Sequence, residues 1–340
     1  LSLRGKSEPI PAYQVLGRRV EVKTRYEASI RQGLTPFVGR ENELSDLKQA
    51  LRDILKGRLR IASVVGDVGI GKTRIIEEFL RKNNSVGYQV YRGYFESHRS
   101  GAPLQPFLQM LPQIFKLDAG MSVEHSAQMI ETRLTELGTS VRNYQSEFLQ
   151  MLSLNVQAND SVARQKELNM SAALTALFGT MAKRSPIVLF IDDWQWADDA
   201  SRQVLSSLIQ TAADQPILIL TASRALDPSD PAMSQIVLRL IPFGAEDSKR
   251  TIAALLEHGF DPGIAQKIHE RSGGNALFIE ELCHSPDALD VPATLHGLIE
   301  QRVERLPKTQ VDLVRTAAVI GNIIPTWLLE KISEYYEQED

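Results

Sequence analysis

The chain has 340 residues, 43% hydrophobic and 24% charged, with 21 glycines and 16 prolines; this is globular composition with room for two or three domains, and it excludes fibrous, low-complexity and disordered classes. Lysine plus arginine number 38 against 42 for aspartate plus glutamate, a net charge of −4, so no global basic field exists to hold nucleic acid or an anionic membrane. A lone cysteine, Cys283, cannot form an intrachain disulfide; with no long apolar run and no signal peptide, the expected setting is the reducing cytoplasm.

A start at Leu1 rather than Met reads as the start of an excised piece. Residues 1–34 mix short β-prone stretches with Gly, Pro and charge, as expected of the end of a preceding domain followed by a linker. From Glu41, the apolar residues Leu44, Leu47, Leu51, Ile54 and Leu55 recur at three- and four-residue steps, which predicts a helix ending near Gly57. Predicted strands follow at 59–65 and 89–94, then helical patterns at 104–115, 123–137, 140–152 and 163–182. Five apolar residues in a row at 187–191 predict a strand buried on both faces, as in a parallel sheet. Strands at 217–221 and 235–240 complete an α/β pattern with a helical insertion. After Pro242 the strand signal stops and helices are predicted at 245–257, 262–271, 276–283, 294–306, 310–320 and 325–336, so a domain boundary is placed near residue 242.

The strongest motif lies between the first strand and the next helix. Gly66-Asp67-Val68-Gly69-Ile70-Gly71-Lys72-Thr73 fits G-x-x-x-x-G-K-[ST], and Arg74 follows among the residues expected to contact nucleotide. Glycines let such a loop turn its N–H groups inward onto phosphate oxygens, and the following helix offers its positive end to the same anion. Lys72 is expected to bridge the β- and γ-phosphates and Thr73 to place its hydroxyl on Mg²⁺. A chance match in a chain of this length arises about one time in a hundred, and the strand before and helix after lower that further.

A phosphate loop alone suits a kinase, a GTPase or an ATPase. The strand at 187–191 ends in Asp192 and Asp193, at the sheet edge where ligands collect. Asp192 fits the metal side, holding the Mg²⁺ hydration shell near Thr73, and Asp193 fits a base that orients the attacking water. A solvated strand end or a helix cap is the competing view. Two adjacent acids favour hydrolysis over transfer, and no Asn-Lys-x-Asp segment is present to read guanine, so ATP is the expected nucleotide. Arg224, at the end of the next strand, is a candidate γ-phosphate sensor, with an ordinary surface arginine as its alternative.

Thr35-Pro36-Phe37-Val38-Gly39-Arg40-Glu41, the phosphate loop, Asp192-Asp193-Trp194-Gln195-Trp196-Ala197-Asp198, Ser223-Arg224 and Gly273-Gly274-Asn275-Ala276-Leu277-Phe278 occur in the order of one family. The chain resembles the signal-transduction ATPases with numerous domains, an AAA+-related branch that includes the origin-recognition-like modules joined to bacterial nucleotide cyclases and large transcriptional activators. The resemblance implies a P-loop NTPase at 35–242 with a parallel five-stranded core sheet, a helical lid at 243–290 and the beginning of a winged-helix domain at 291–340. It implies that Val38, Gly39 and Arg40 line the adenine pocket, and that the strand of Arg224 lies between the phosphate-loop strand and that of Asp192. It also implies a lid that closes over ADP and, on exchange for ATP, permits self-association. Relatives carry Gly-Asn-Pro where this chain has Gly274-Asn275-Ala276. The stretch from Leu3 to Val15 resembles the last strands of a class III adenylate/guanylate cyclase, without its metal-binding aspartates or purine-selecting residues, so no cyclase activity is expected of this chain alone.

Other signals carry less. Trp194 and Trp196 are expected to pack the loop against the sheet, His269 and His284 to sit on helix surfaces, and six histidines without ligand spacing offer no zinc site. The expected function is an ATP-binding, slowly hydrolysing switch with cofactors ATP/ADP and Mg²⁺, acting on an attached effector such as a cyclase. A nucleotide-locked scaffold is the first alternative, and a nucleic-acid remodelling ATPase ranks below it because of the acidic balance. No membrane partner is expected.

Overall fold

The structure, a computed structural model, describes residues 34–84, 87–96, 103–118, 120–153, 160–233, 235–256, 261–284 and 308–320, together with 297, 300, 303, 306, 328, 331 and 332. All but the last residue of the expected preceding-domain end and linker at 1–34, and most of the expected winged helix at 291–340, lie outside the described residues. In chain order the first part runs α1 (Glu41–Ile54), β1 (Arg60–Val65), α2 (Lys72–Lys82), β2 (Gln89–Tyr94), α3 (Gln105–Phe115), α4 (Val123–Leu137), α5 (Thr139–Arg142), α6 (Gln145–Ser153), α7 (Asp160–Ala182), β3 (Ile187–Asp192), α8 (Asp199–Thr211), β4 (Ile217–Ser223) and β5 (Ile236–Arg239). Four further helices follow: α9 (Ala245–Leu255), α10 (Pro262–Ser272), α11 (Ala276–Cys283) and α12 (Lys308–Ile320).

The sheet is wholly parallel, in the order β2-β3-β4-β1-β5. Alternate residues of each strand face opposite sides, so an unbroken apolar run supplies two cores at once. Ile61, Ile187, Leu189, Ile217 and Ile219 point to one side, where α3, α4 and α6 to α8 bury Phe107, Leu134, Phe148, Phe178 and Leu205. Ala62, Val64, Val188, Phe190, Leu218 and Leu220 point to the other, against Leu47, Leu51 and Ile54 of α1 and Ile75, Ile76 and Phe79 of α2. The strand of Ser223 does separate the strand of Asp192 from the phosphate-loop strand.

The helical insertion closes one edge of the sheet. β2 is an outer strand, and the backbone N–H groups of Arg92 and Tyr94 within it and of Glu96 just beyond it donate to the side-chain oxygens of Gln113, Gln109 and Gln105, at 3.1, 2.8 and 3.1 Å. Those glutamines are four residues apart on α3, so one helix face supplies acceptors to an edge that would otherwise invite another strand. The helix comes so near that a Cβ at Gly93 would collide with the backbone carbonyl of Pro106.

One predicted helix is corrected. The pattern at 140–152 is two helices, because the chain tightens between them, with Tyr144 N–H bonded to the Val141 carbonyl at 3.0 Å, a three-residue step. Beyond β5, helices α9 to α11 enclose a small core of their own, Ile252, Ala265, Ile268, Phe278, Ile279 and Leu282. His269 also departs from expectation: it is half-buried, with Nδ1 2.8 Å from the Ser248 hydroxyl, while His284 is exposed.

Candidate functional site

The parallel register brings the carboxyl ends of β1, β3 and β4 to one edge, with Val65 beside Ser223. The phosphate loop springs from there: Gly66 N–H bonds the Ser223 carbonyl at 3.1 Å, and Leu240 N–H bonds the Val65 carbonyl at 2.7 Å. Its root is therefore clamped between two neighbouring strands. The loop turns through Gly69 at φ 77° and Gly71 at φ 101°, and α2 begins at Lys72. Gly69 is required by space as well as conformation, since a Cβ there would lie 2.8 Å from Asn275 Oδ1 and 2.9 Å from Leu277 Cβ.

Lys72 Nζ donates to the carbonyls of Gly66 and Asp67, each at 2.9 Å. Desolvation holds its pKa below the usual lysine range, against the opposing pull of Asp192 and Asp193, and the positive charge of Arg224 adds to the lowering. A partly desolvated ammonium satisfied by carbonyls alone is suited to receive an anion. The Thr73 hydroxyl donates to Asp192 Oδ2 at 2.7 Å, and Asp192 Oδ1 accepts the backbone N–H of Asp193 at 2.9 Å. Burial pushes the Asp192 carboxyl up to about 6 in spite of those donors, with the charge of Asp193 adding to the rise. Such a carboxylate gains from a nearby cation. The donor set thus fits Mg-ATP on both counts: a cation beside Thr73 and Asp192, a polyanion beside Lys72.

Asp193 adopts a left-handed backbone, φ 57°, and opens the short 3₁₀ turn Trp194–Trp196. Its Oδ1 accepts from Gln195 Nε2 at 2.7 Å, and Gln195 Oε1 accepts the N–H of Arg224 at 3.0 Å. Arg224 itself is exposed. Trp194 is fully buried, donates Nε1 to Asp230 at 2.9 Å and meets Phe95 edge to face; Trp196, expected to pack likewise, is 41% exposed. Asp198 does cap a helix, accepting the Ser201 N–H at 2.7 Å.

Two site residues depart from a simple reading of the motifs. Arg40 has φ 65°, and its guanidinium bonds Glu43 at 3.2 Å and the Ile241 carbonyl at 2.5 Å and lies 4.8 Å from the Phe243 ring. It ties α1 to the segment leading into α9. Arg74 reaches back to the Thr35 carbonyl at 2.8 Å. Val38 is half-buried and Gly39 buried.

Motif reading overlooked the partners that hold the loop from the other side. Asn275 caps α11, its Oδ1 accepting the Phe278 N–H at 3.3 Å while its Nδ2 donates to the Val68 carbonyl at 2.8 Å. Leu277 N–H donates to the Gly69 carbonyl at 3.0 Å. An asparagine just ahead of an apolar run is a helix-start signal, so the cap was findable; its second hydrogen bond was not.

The profile of the AAA ATPase domain family matches residues 36–220, more than half of the chain. An uncharacterized protein of Rhizobium meliloti (strain 1021) is 28% identical over 360 residues, covering 97% of this chain and 34% of its own length. The chain therefore spans about a third of the length of that curated relative. Among solved structures, a Signal Transduction ATPase with Numerous Domains (STAND) protein with a tetratricopeptide repeat sensor from Pyrococcus horikoshii is similar at 14% identity and TM-score 0.44, covering 82% of this chain and 34% of its own. The Orc1 protein of Aeropyrum pernix, solved in complex with DNA, is similar at 15% identity and TM-score 0.43, over 89% of this chain and 78% of its own.

Proposed function

We propose that this chain, which belongs to the AAA ATPase domain family, is an ATP-binding and slowly hydrolysing regulatory switch whose bound nucleotide sets the position of a lid formed by α9 to α11. One observation carries the reading: the first turn of α11 is hydrogen-bonded directly to the phosphate loop, Leu277 to Gly69 and Asn275 to Val68. Any change of that loop on nucleotide exchange has a direct route into the lid, which is what biasing one of two arrangements requires.

In this reading Mg²⁺, when bound, supplies charge neutralisation and polarises phosphate oxygens. Thr73 and Asp192 would hold it, Asp192 through its water shell. Lys72 would exchange its two carbonyl acceptors for β- and γ-phosphate oxygens, and backbone N–H groups of the loop beyond Gly66, whose own N–H is held by the Ser223 carbonyl, would cradle the same anion. Asp193 would orient the attacking water and Arg224 would sense the γ-phosphate. Val38 and Gly39 would lie against adenine, with Arg40 beside them fastening the lid linker. The finer parts are an attached effector, such as a class III cyclase on the N-terminal side, and self-association in the ATP state; division into an ATPase unit at 35–242, a lid at 243–290 and a winged helix from 291 belongs to the same proposal.

Phosphate release and nucleotide binding test this together. Lys72→Ala should lower both by about 100-fold or more, and unchanged affinity and turnover would remove the loop assignment. Wild type with the same turnover as Asp193→Asn would replace the switch by a nucleotide-locked scaffold. GTP should compete poorly with ATP, and hydrogen exchange of α11 should differ between ADP and a non-hydrolysable ATP analogue.

A further inference from the structure

We propose that Gln195 is a positioning residue for the hydrolysis step, holding the Asp193 carboxylate and the Arg224 end of β4 in one fixed relation. The proposal rests on the ATPase reading above and adds to it a residue that the nucleotide motifs do not name.

The geometry begins with the amide itself. A backbone N–H can only donate, so the Gln195 atom facing the N–H of Arg224 must be the oxygen, and the amide nitrogen must then face Asp193. Both contacts have ordinary lengths, 3.0 and 2.7 Å, and both are spent on site residues. One contact holds the carboxylate assigned to water, and the other holds the backbone at the root of the side chain assigned to the γ-phosphate.

The platform beneath it is firm. Trp194, fully buried and tied through Nε1 to Asp230, pins the turn from one side. Backbone bonds from Trp196 N–H to Asp193 carbonyl, 3.0 Å, and from Ala197 N–H to Trp194 carbonyl, 2.9 Å, close it from the other. Asp230 in turn is held by Arg202 at 3.1 Å and by the Ala232 N–H at 2.8 Å. A side chain rooted there has little freedom, and a donor with little freedom orients its acceptor at small entropic cost.

Division of labour between the adjacent acids follows. Asp192 has both oxygens engaged, by the Thr73 hydroxyl and the Asp193 N–H, on the metal side. Left-handed backbone at Asp193 turns the second carboxyl onto a different course, and Gln195 is the side chain that receives it. Without that donor, the second carboxylate would lose its aim.

The test compares wild type, Gln195→Ala, Gln195→Glu, Asp193→Asn and the double variant Gln195→Ala/Asp193→Asn, by phosphate release over a range of Mg-ATP and by equilibrium binding of a non-hydrolysable analogue. Gln195→Ala should lower kcat about 10-fold or more with KM and analogue affinity within about two-fold, since only the reacting geometry is lost. Gln195→Glu is nearly isosteric and keeps the acceptor for Arg224, yet it sets a carboxylate against Asp193, so it should fold and lose at least as much kcat. In the Asp193→Asn background, Gln195→Ala should cost nothing further, the mark of residues acting as a unit. Unchanged kcat in Gln195→Ala, or a further independent loss in the double variant with weakened binding, overturns the proposal. Turnover in wild type with either of those results leaves the ATPase reading standing; no turnover in wild type overturns both.

Discussion

The five-stranded sheet and the helices α9 to α11, proposed above as a lid, are built on very different scales. The five strands bury apolar residues on two faces at once, and Leu218, Ile219 and Leu220 in the central β4 are fully enclosed. Among the described residues, α9 to α11 bury a core of six apolar residues from three short helices. Its fastenings to the rest are polar: Phe243 N–H to the Gly274 carbonyl at 2.8 Å, Arg40 to the Ile241 carbonyl, Arg250 to Glu41 at 3.3 Å on the surface, and the two bonds to the phosphate loop. Exposed ion pairs contribute at most about 1 kcal/mol each, and a typical hydrogen bond about as much. If the proposed switch holds, the contrast sets the part that keeps Thr73 and Asp192 in contact against a smaller part that polar bonds attach to it.

The largest expected effect tests that contrast directly. Leu218→Ala opens a cavity between the sheet and the α1–α2 layer and should cost about 2–5 kcal/mol of global stability, lowering the whole melting transition. Ile279→Ala removes a similar volume from the lid, and its effect should stay local: faster amide exchange in α9 to α11, with the sheet amides unchanged. Equal loss of the main transition in both variants would mean that lid and sheet unfold as one unit, and the comparison would break.

Within the rigid part, the site itself is a weak point. Asp192 has its folded pKa raised from 3.8 to about 6 by burial. Its carboxyl is favoured in the protonated form, so its stabilising contribution is complete below pH 4, is lost as pH rises through about 6, and leaves a cost of about 3 kcal/mol on the nucleotide-free protein above that. Asp192→Asn removes the charge and can still accept the Asp193 N–H while its amide donates to the Thr73 hydroxyl. Nucleotide-free Asp192→Asn should therefore melt higher than wild type at pH 8, by about 2 kcal/mol, with the gain gone at pH 4 and phosphate release abolished. A variant no more stable than wild type at pH 8 would show that the site carries no such cost. The result sharpens the comparison by showing that rigidity here is imposed on a group that resists it.

Much of this was legible beforehand because the signals were local. Five apolar residues in a row at 187–191, glycines around Lys72 and the change of pattern after Pro242 each reflect a short-range rule, and strands, phosphate loop and lid helices fall where they predict. What escaped is long-range pairing. Gln105, Gln109 and Gln113 read as polar residues on a helix face, and only the fold brings them to the edge of β2. Gln195 reads as a spacer between tryptophans until β4 sets Arg224 opposite its amide. Arg40 reads as an adenine neighbour, yet the chain returns at Ile241 and Phe243 to occupy its guanidinium. Trp196 departs for the opposite reason: a 3₁₀ turn advances about 120° per residue, so with Trp194 buried its second neighbour points away from it, toward solvent.

Asn275 offers the smallest and most discriminating perturbation, because its two ends do different things. Its oxygen caps α11 through Phe278 N–H, and its nitrogen holds the Val68 carbonyl. Asn275→Ala removes both and should cost about 1 kcal/mol of lid stability from the cap alone. Asn275→Asp keeps a cap of equal quality but places a carboxylate oxygen against a carbonyl, so α11 should stay as protected as in wild type while its attachment to the phosphate loop weakens. Exchange at the Leu277 amide, which bonds the Gly69 carbonyl, should then rise about 5- to 10-fold in both variants, whereas exchange later in α11 should rise in the alanine variant alone. If Asn275→Asp left Leu277 as protected as before, the loop and the lid would be joined by packing rather than by these bonds, and the polar fastening that distinguishes lid from sheet would lose its best-defined member.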